Sequence, residues 1–158
     1  MNQTTAMTDI ESIASDFELL GDWDQRYEYL VELGEQMPLM PESELTDENR
    51  VFPCMSKVWV YAYRDPDNPN LINFHGECDT AIIKGVVALL VKLFSGKTAQ
   101  EILDMDVDQL FERIKLAENL SPNRHVGIYA IVEAIKSQVE ALLSSGTGLK
   151  EEASVQQQ

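Results

Sequence analysis

Two runs of β-branched and aromatic residues interrupt a sequence whose other segments repeat apolar residues at helical spacing. The runs cover residues 58–63 and 71–75, and a segment rich in Asp, Asn and Pro at residues 65–70 separates them. Such runs favour strands and such a segment favours a turn, so the pattern predicts a β-hairpin. A short strand at residues 50–52 would add a third member, which Pro53 restricts to an edge or an end of the sheet.

Two helical patterns precede this hairpin and predict an amino-terminal helical hairpin. The capping box of Thr8 and Glu11 predicts a first helix over residues 9–20, and Asp22 marks the start of a second helix. The second helix stops before an acidic, proline-bounded segment at residues 38–49, which is predicted to be an extended connector. The apolar face of the second helix is predicted to contain Tyr27, Leu30, Val31 and Gly34.

Helical patterns resume after Gly76. Asp79 is a predicted cap for a helix that is apolar on nearly all sides, which suits it to the centre of the core. Thr98 and Asp106 begin two shorter helices, and a long helix is predicted over residues 122–143. The order of these elements predicts an α+β fold, in which a small antiparallel sheet of about three strands packs against several helices.

The size and composition of the chain predict one domain. A chain of 158 residues with 44% apolar residues can form a single core without disulfides. We predict that this domain covers residues 1–143 and that the polar, aperiodic residues 144–158 form a disordered tail. The apolar runs are far shorter than the roughly 20 residues of a membrane span, and the amino terminus lacks the pattern of a secretory signal. We therefore expect a cytoplasmic protein.

The charge of the chain argues against two classes of partner. Twelve basic and twenty-seven acidic residues give a formal net charge of −15. An excess of negative charge disfavours contact with phosphate backbones and with anionic lipid surfaces. Neither nucleic acid nor a membrane is an expected partner.

The chain has two cysteines, Cys54 and Cys78, which are not arranged as a CxxC pair. Cys54 lies between the connector and the first strand, a position that is compatible with a reactive thiol and equally with a buried cysteine. Cys78 precedes the central helix between two acidic neighbours, and a structural role is favoured for it. His75 and His125 are too scattered to form a metal site with these cysteines, so no metal is predicted. Sequence motifs of hydrolases, P-loop proteins and dinucleotide-binding proteins are absent from the sequence.

Several segments resemble the signatures of one known family. Residues 54–59, CMSKVW, are similar to the GCxSxVW motif of the SufE family, and residues 76–85, GECDTAIIKG, are similar to its GxSDAxIVKG motif. Residues 120–127 resemble its LxPxRxxG motif, and the resemblance extends over about residues 10–143. This chain departs from the pattern at two positions: Pro53 replaces the glycine before the cysteine, and Cys78 replaces a serine.

This resemblance implies a SufE/IscU-like fold and a role in sulfur transfer rather than a stand-alone enzymatic activity. In such a role, Cys54 receives persulfide sulfur from a SufS/CsdA-type cysteine desulfurase, stimulates that enzyme and passes the sulfur on toward a scaffold for iron-sulfur cluster assembly. The desulfurase carries pyridoxal phosphate, so no cofactor is expected on this chain. Residues that the resemblance suggests as supporting groups are Ser56, Lys57, Asp79, Lys84 and Arg124.

Three of the supporting residues, Lys57, Lys84 and Arg124, are cations that can favour the thiolate of Cys54. Arg124 is the first choice among them, because it matches the arginine of the family motif. Two alternatives remain open at this point. In the first, the chain is a cluster scaffold of the IscU type, a role that needs about three cysteines. In the second, it is a regulator that binds the desulfurase without carrying sulfur.

Overall fold

A computed structural model of the protein describes residues 2–52, 56–116 and 122–147. The first two helices are α1, Asn2–Leu19, and α2, Trp23–Gln36. The predicted start of the first helix was wrong, because the helical backbone begins well before the proposed capping box. The predicted break between the helices is confirmed: Gly21 has a φ of +83°, and the carboxylate of Asp22 accepts a hydrogen bond from the N–H of Gln25.

The buried face of α2 confirms the predicted Leu30 and Gly34, whereas Val31 is only half-buried and the prediction for Tyr27 was wrong. Arg26, Leu30 and Gly34 are its buried residues, whereas Tyr27 is 42% exposed. The ring of Phe17 in α1 meets the ring of Tyr29 edge-on, with centroids 5.3 Å apart. Beyond this contact α1 packs on the helices that follow the sheet and α2 packs on the central helix, so the predicted two-helix hairpin is not a separate packing unit.

The connector contains two short 3-10 helices, Glu42–Glu44 and Asp47–Asn49, where an extended chain was predicted. It is attached to the sheet through Glu44, whose carboxylate lies 2.7 Å from Nδ1 of His75. The imidazole of His75 also packs against the ring of Tyr63, with centroids 4.6 Å apart. These contacts place the connector next to the outer face of the hairpin.

The sheet contains three antiparallel strands in the order β1-β2-β3, which confirms the predicted fold class. The hairpin consists of β1, Val58–Arg64, and β2, Leu71–Cys78. The third strand is β3, Lys97–Thr98, which pairs with the start of β2. The predicted strand at residues 50–52 was wrong, because only Arg50 forms a β-bridge there, with Trp59.

The inner face of the hairpin forms part of the core, and its outer face is half-exposed. The buried residues of the hairpin alternate along each strand, as expected for a sheet covered on one side: Val58, Val60, Ala62, Ile72, Phe74, Gly76 and Cys78. Gln138 protects the outer edge of β1, because its side-chain amide donates to the carbonyl oxygen of Val60 and accepts from the N–H of Ala62.

The central helix is α3, Ala81–Phe94, and ten of its residues are buried, as predicted. Its N-cap is Thr80 rather than the predicted Asp79, whose carboxylate has another role at the candidate site. α2 crosses α3 where Gly34 and Gly85 meet. An ideal Cβ on Gly85 would lie 2.1 Å from the carbonyl oxygen of Leu30, so only glycine permits this close approach.

Three helices complete the fold: α4, Ala99–Asp104, α5, Asp108–Arg113, and α6, Pro122–Thr147. The predicted capping box of Thr98 and Glu101 is confirmed at the start of α4. α6 begins at the predicted proline and continues four residues beyond the predicted end. The domain boundary at residue 143 stays a prediction, and the predicted tail beyond residue 147 lies outside the described residues. Within the described ranges, no helix combines the length and the apolar character that a membrane span requires.

Candidate functional site

The loop that carries Cys54 is closed by hydrogen bonds on both of its sides. The N–H of Val51 donates to the carbonyl oxygen of Val58 over 2.8 Å, and both residues are buried. One residue earlier, Arg50 forms its bridge with Trp59. Cys54 itself, with Pro53 and Met55, lies outside the described residues. The two ends of the loop are therefore held at the rim of the sheet, beside the last residues of β2.

The carboxylate of Asp79 connects the outgoing end of the loop to the start of α3. Its Oδ1 atom accepts a hydrogen bond from the N–H of Lys57 over 2.9 Å, and the N–H of Asp79 donates to the carbonyl oxygen of Lys57 over 3.1 Å. The two residues thus exchange a pair of hydrogen bonds. The structure brings together the predicted site residues Lys57 and Asp79, although Asp79 acts on the loop and does not cap the helix.

Ser56 is held by a second contact from the same turn. Its hydroxyl oxygen lies 2.6 Å from that of Thr80, and the hydroxyl of Thr80 donates to Asp79 over 3.2 Å. A threonine hydroxyl has a single proton to donate, so the hydroxyl of Ser56 is the donor in the first contact. Sequence reasoning missed Thr80, since only the fold places the residue before α3 opposite the residue after the Cys54 segment.

Lys84 belongs to an ion pair at the same end of the sheet. Its Nζ atom lies 3.1 Å from the carboxylate of Glu77, and both side chains are partly buried. The same carboxylate oxygen accepts a hydrogen bond from the N–H of Cys78 over 2.9 Å. The charge of Lys84 is thus partly neutralised by Glu77, which sequence analysis had not selected as a site residue.

Cys78 lies in the core, in agreement with the structural role that its position suggested. Its side chain is 5% exposed, and its sulfur accepts a contact from the N–H of Thr80 over 3.4 Å. It faces inward from the last position of β2, where it packs with the core cluster. Reaction of this sulfur with a second protein would require the end of the sheet to open.

The structure describes the side chain of one predicted cation, Lys57, but not that of another, Arg124. Lys57 is exposed and adjoins the loop directly. Arg124 occupies the first turn of α6, but its side chain lies outside the described part of the chain. The role of Arg124 beside the loop stays a prediction.

Arg50 is a further cation at the loop, and the sequence analysis did not consider it. Its guanidinium carbon lies 5.0 Å from the ring centroid of Phe52 and 5.8 Å from that of Trp59. Both distances are within the range of cation-π interactions. The signal that would have revealed it is the pairing of residues 50 and 59 across the predicted sheet.

The histidines do not contribute to a metal site in the part of the chain whose side chains are described. Within that part, no three His, Cys, Asp or Glu side chains come close enough to hold a metal ion. His75 lies on the outer face of the sheet with Glu44, whereas Cys78 faces the core. The side chain of His125 lies outside the described residues.

An α+β domain in which a three-stranded antiparallel sheet packs against several helices is the class of protein that this fold defines. The family model of SufE, an Fe-S metabolism associated domain, matches residues 11–139. The chain belongs to the SufE family, which confirms the resemblance found in the sequence. The domain of this family is associated with iron-sulfur metabolism.

Relatives of known sequence and structure agree with this assignment. An uncharacterized SufE-like protein from Rhizobium meliloti (strain 1021) is 42% identical over 139 residues, which cover 87% of this chain and 99% of the relative. An uncharacterized SufE-like protein from Rhizobium etli is 38% identical over 136 residues, covering 85% of this chain and 91% of the relative. The solution structure of a hypothetical protein from Thermus thermophilus superposes with a TM-score of 0.70 at 19% identity, covering 86% of this chain and 96% of that one. The last comparison concerns the fold alone.

Proposed function

We propose that this protein is a sulfur acceptor that receives a persulfide sulfur on Cys54 from a cysteine desulfurase and passes it on for iron-sulfur cluster assembly. The observation that supports the proposal most is the anchoring of the Cys54 loop. Its incoming end is held by Val51 and its outgoing end by Ser56 and Lys57, which bind residues of the second family motif. A thiol that two proteins must reach in turn is well served by a short loop on a rigid base.

The transfer is a thiol exchange that conserves atoms and electrons. The thiolate of Cys54 attacks the terminal sulfur of the persulfide on the donor cysteine. A sulfur-sulfur bond forms to Cys54 as the sulfur-sulfur bond of the donor breaks, and the donor cysteine leaves as a thiolate. The proton that Cys54 loses passes to solvent, from which the donor thiolate can be reprotonated. No oxidant, reductant or metal takes part in this step.

The proposed mechanism assigns cofactor chemistry to the partner. Pyridoxal phosphate on the desulfurase breaks the carbon-sulfur bond of cysteine, so this chain needs no cofactor of its own for the exchange. The desulfurase is a cytoplasmic protein of the SufS/CsdA type in this proposal, and the next recipient is a cluster-assembly scaffold. Stimulation of the desulfurase follows when Cys54 removes its persulfide and frees it for another turnover.

Positive charge beside the loop favours the thiolate form of Cys54. Among the described residues, Lys57 is the exposed cation that lies nearest to Cys54 in the sequence. Lys84 contributes less to stabilising the thiolate, because it is paired with Glu77. Arg124 remains the proposed principal cation, since it matches the arginine of the family motif. The alternative of a cluster scaffold is weakened by the burial of Cys78, which leaves Cys54 as the other cysteine of a chain that has two.

Labelled-sulfur transfer tests the proposal with a matched pair of variants. The desulfurase is incubated with ³⁵S-cysteine and either Cys54→Ser or Cys78→Ser, and the adduct is located by mass spectrometry. We expect Cys78→Ser to gain one sulfur on Cys54 and Cys54→Ser to gain none. Equal labelling of Cys54→Ser contradicts the proposal. Stimulation of the desulfurase without any adduct on the wild-type chain identifies a regulator instead of a carrier.

A further inference from the structure

The guanidinium of Arg50 is a fixed cation without a carboxylate partner among the described residues. The chain has 27 acidic residues against 12 basic ones, yet none of the described ion pairs includes Arg50. Its Nε atom has no hydrogen-bond partner within the described chain. The rings of Phe52 and Trp59 hold the guanidinium instead, and the backbone bridge to Trp59 keeps it at the edge of β1.

Phe52 presents a large apolar surface next to this cation. Its side chain is 59% exposed although it lies one residue beyond the buried Val51. Burial of an aromatic ring of this size contributes strongly to protein association, and aromatic residues and arginine are enriched among the residues that dominate interface energies. The pair of Arg50 and Phe52 therefore has the composition of an interface hot spot.

The position of Phe52 in the chain indicates which partner covers it. This step rests on the proposed function: a sulfur donor must bring its persulfide to bonding distance of Cys54. Residue 54 follows residue 52 by two peptide units, so their Cα atoms are at most about 7.6 Å apart. A standard interface of about 800 Å² on each partner has a radius of roughly 16 Å. A donor that reaches Cys54 consequently covers Phe52 as well.

We infer that Arg50 and Phe52 form the docking hot spot for the sulfur-donating desulfurase, which presents a carboxylate to Arg50 beside an apolar pocket for Phe52. A carboxylate is the matching group because the planar guanidinium binds it through two parallel hydrogen bonds. The acidic surface elsewhere disfavours negatively charged patches of other proteins. Arg50, which has no carboxylate partner among the described residues and lies two residues before the exposed Phe52, thus sets both the partner and its register.

The inference is tested by measuring the affinity of the desulfurase for four variants by isothermal titration calorimetry. Each variant is made in the Cys54→Ser background, so that sulfur transfer does not alter the titration. We expect Phe52→Ala to weaken binding by at least about tenfold. Arg50→Gln is expected to weaken binding and to reduce its salt dependence, whereas Arg50→Lys retains the salt dependence and recovers part of the affinity.

Leu19→Ala is the matched control, because Leu19 is 85% exposed and belongs to α1, which packs on α3, α4 and α5. It is expected to bind as the parent does. Wild-type affinity and salt dependence in both Phe52→Ala and Arg50→Gln overturn the inference, as does equal weakening by Leu19→Ala. If that happens while wild-type Cys54 still gains sulfur, the proposed function stands and only the docking hot spot fails. If the variants bind as expected but wild-type Cys54 gains no sulfur in the complex, the docking hot spot stands and the proposed function fails.

Discussion

The hydroxyl of Ser56 lies 2.6 Å from the hydroxyl of Thr80, so the residue that follows the Cys54 segment is tied to the residue that precedes the central helix. Together with the paired hydrogen bonds between Lys57 and Asp79, this contact holds the outgoing end of the loop. The stability of the loop base thus depends on a few polar groups at the end of the sheet, and these can be removed one at a time.

A double-mutant cycle with Ser56→Ala and Thr80→Val measures this contact. Because each substitution removes one partner of the same hydrogen bond, we expect a coupling free energy of about 1 kcal/mol in urea unfolding. The Lys57 amide should also exchange its hydrogen faster in Thr80→Val, and Cys54 should react faster with a thiol reagent. Additive effects of the two substitutions, with unchanged reactivity of Cys54, would show that the contact does not restrain the loop.

Gly85→Ala should be among the most destabilising substitutions in the chain. Its new methyl group would lie 2.1 Å from a backbone oxygen of α2, and a backbone atom moves only if the two helices separate. We expect a loss above about 4 kcal/mol or no folded protein. Gly34→Ala is the control on the facing helix. Its added methyl group would lie 3.0 Å from the nearest atom, so a smaller shift of the backbone accommodates it. Urea denaturation of both variants compares them, and equal stabilities contradict the proposed crossing.

Gln138→Leu should destabilise the edge of the sheet. The amide of Gln138 satisfies one N–H and one carbonyl group of β1, at 2.7 Å and 2.8 Å, and leucine can replace neither bond. We expect a loss of about 1 to 3 kcal/mol in thermal or urea unfolding, together with faster aggregation from the uncovered edge. Gln100→Leu is the control, because Gln100 bonds to Asp104 on the exposed face of a helix. A similar loss in both variants argues against edge protection.

We predict that the stability of the β-hairpin depends on pH through the carboxylate of Asp65. The amide of Asn73 and the N–H groups of Asp67 and Asn68 donate hydrogen bonds to its carboxylate, and the Asn73 bond is the main cause that lowers the pKa of Asp65. A lowered pKa in the folded state stabilises the protein above the ordinary carboxyl pKa, and this stabilisation is lost as the pH falls through the folded value. NMR titration of Asn73→Ala should find a higher pKa for Asp65. An unchanged pKa assigns the effect to other groups.

The elements that sequence patterns predicted best are those with strong local signals. The hairpin, the capping box of Thr98 and the apolar helix α3 all have such signals, and all three are present. β3 was missed because two residues are too few for a periodic pattern. Asp79 was assigned to a helix cap because its chain position suited one, whereas the fold brings the N–H of Lys57 within its reach.

The candidate site was likewise predictable from the sequence only in part. Its position at the start of the hairpin followed from residues 54–59, and the family followed from the order of three motifs along the chain. The contacts of Thr80 and Glu77 could not be predicted, since their partners are chosen by strand register and by the turn before α3. Such residues carry no local pattern that distinguishes a loop anchor from an ordinary surface group.

The amino-acid sequence alone determined the fold class, the buried central helix and the family, because apolar periodicity and short motifs are properties of neighbouring residues. Only the tertiary structure decided that Cys78 faces the core, that Lys84 is paired with Glu77 and that Arg50 lies within cation-π distance of two aromatic rings. Those outcomes depend on which distant groups the folded backbone brings within a few ångströms. Electrostatic and hydrogen-bonding energies change steeply over that distance, and linear sequence does not specify it.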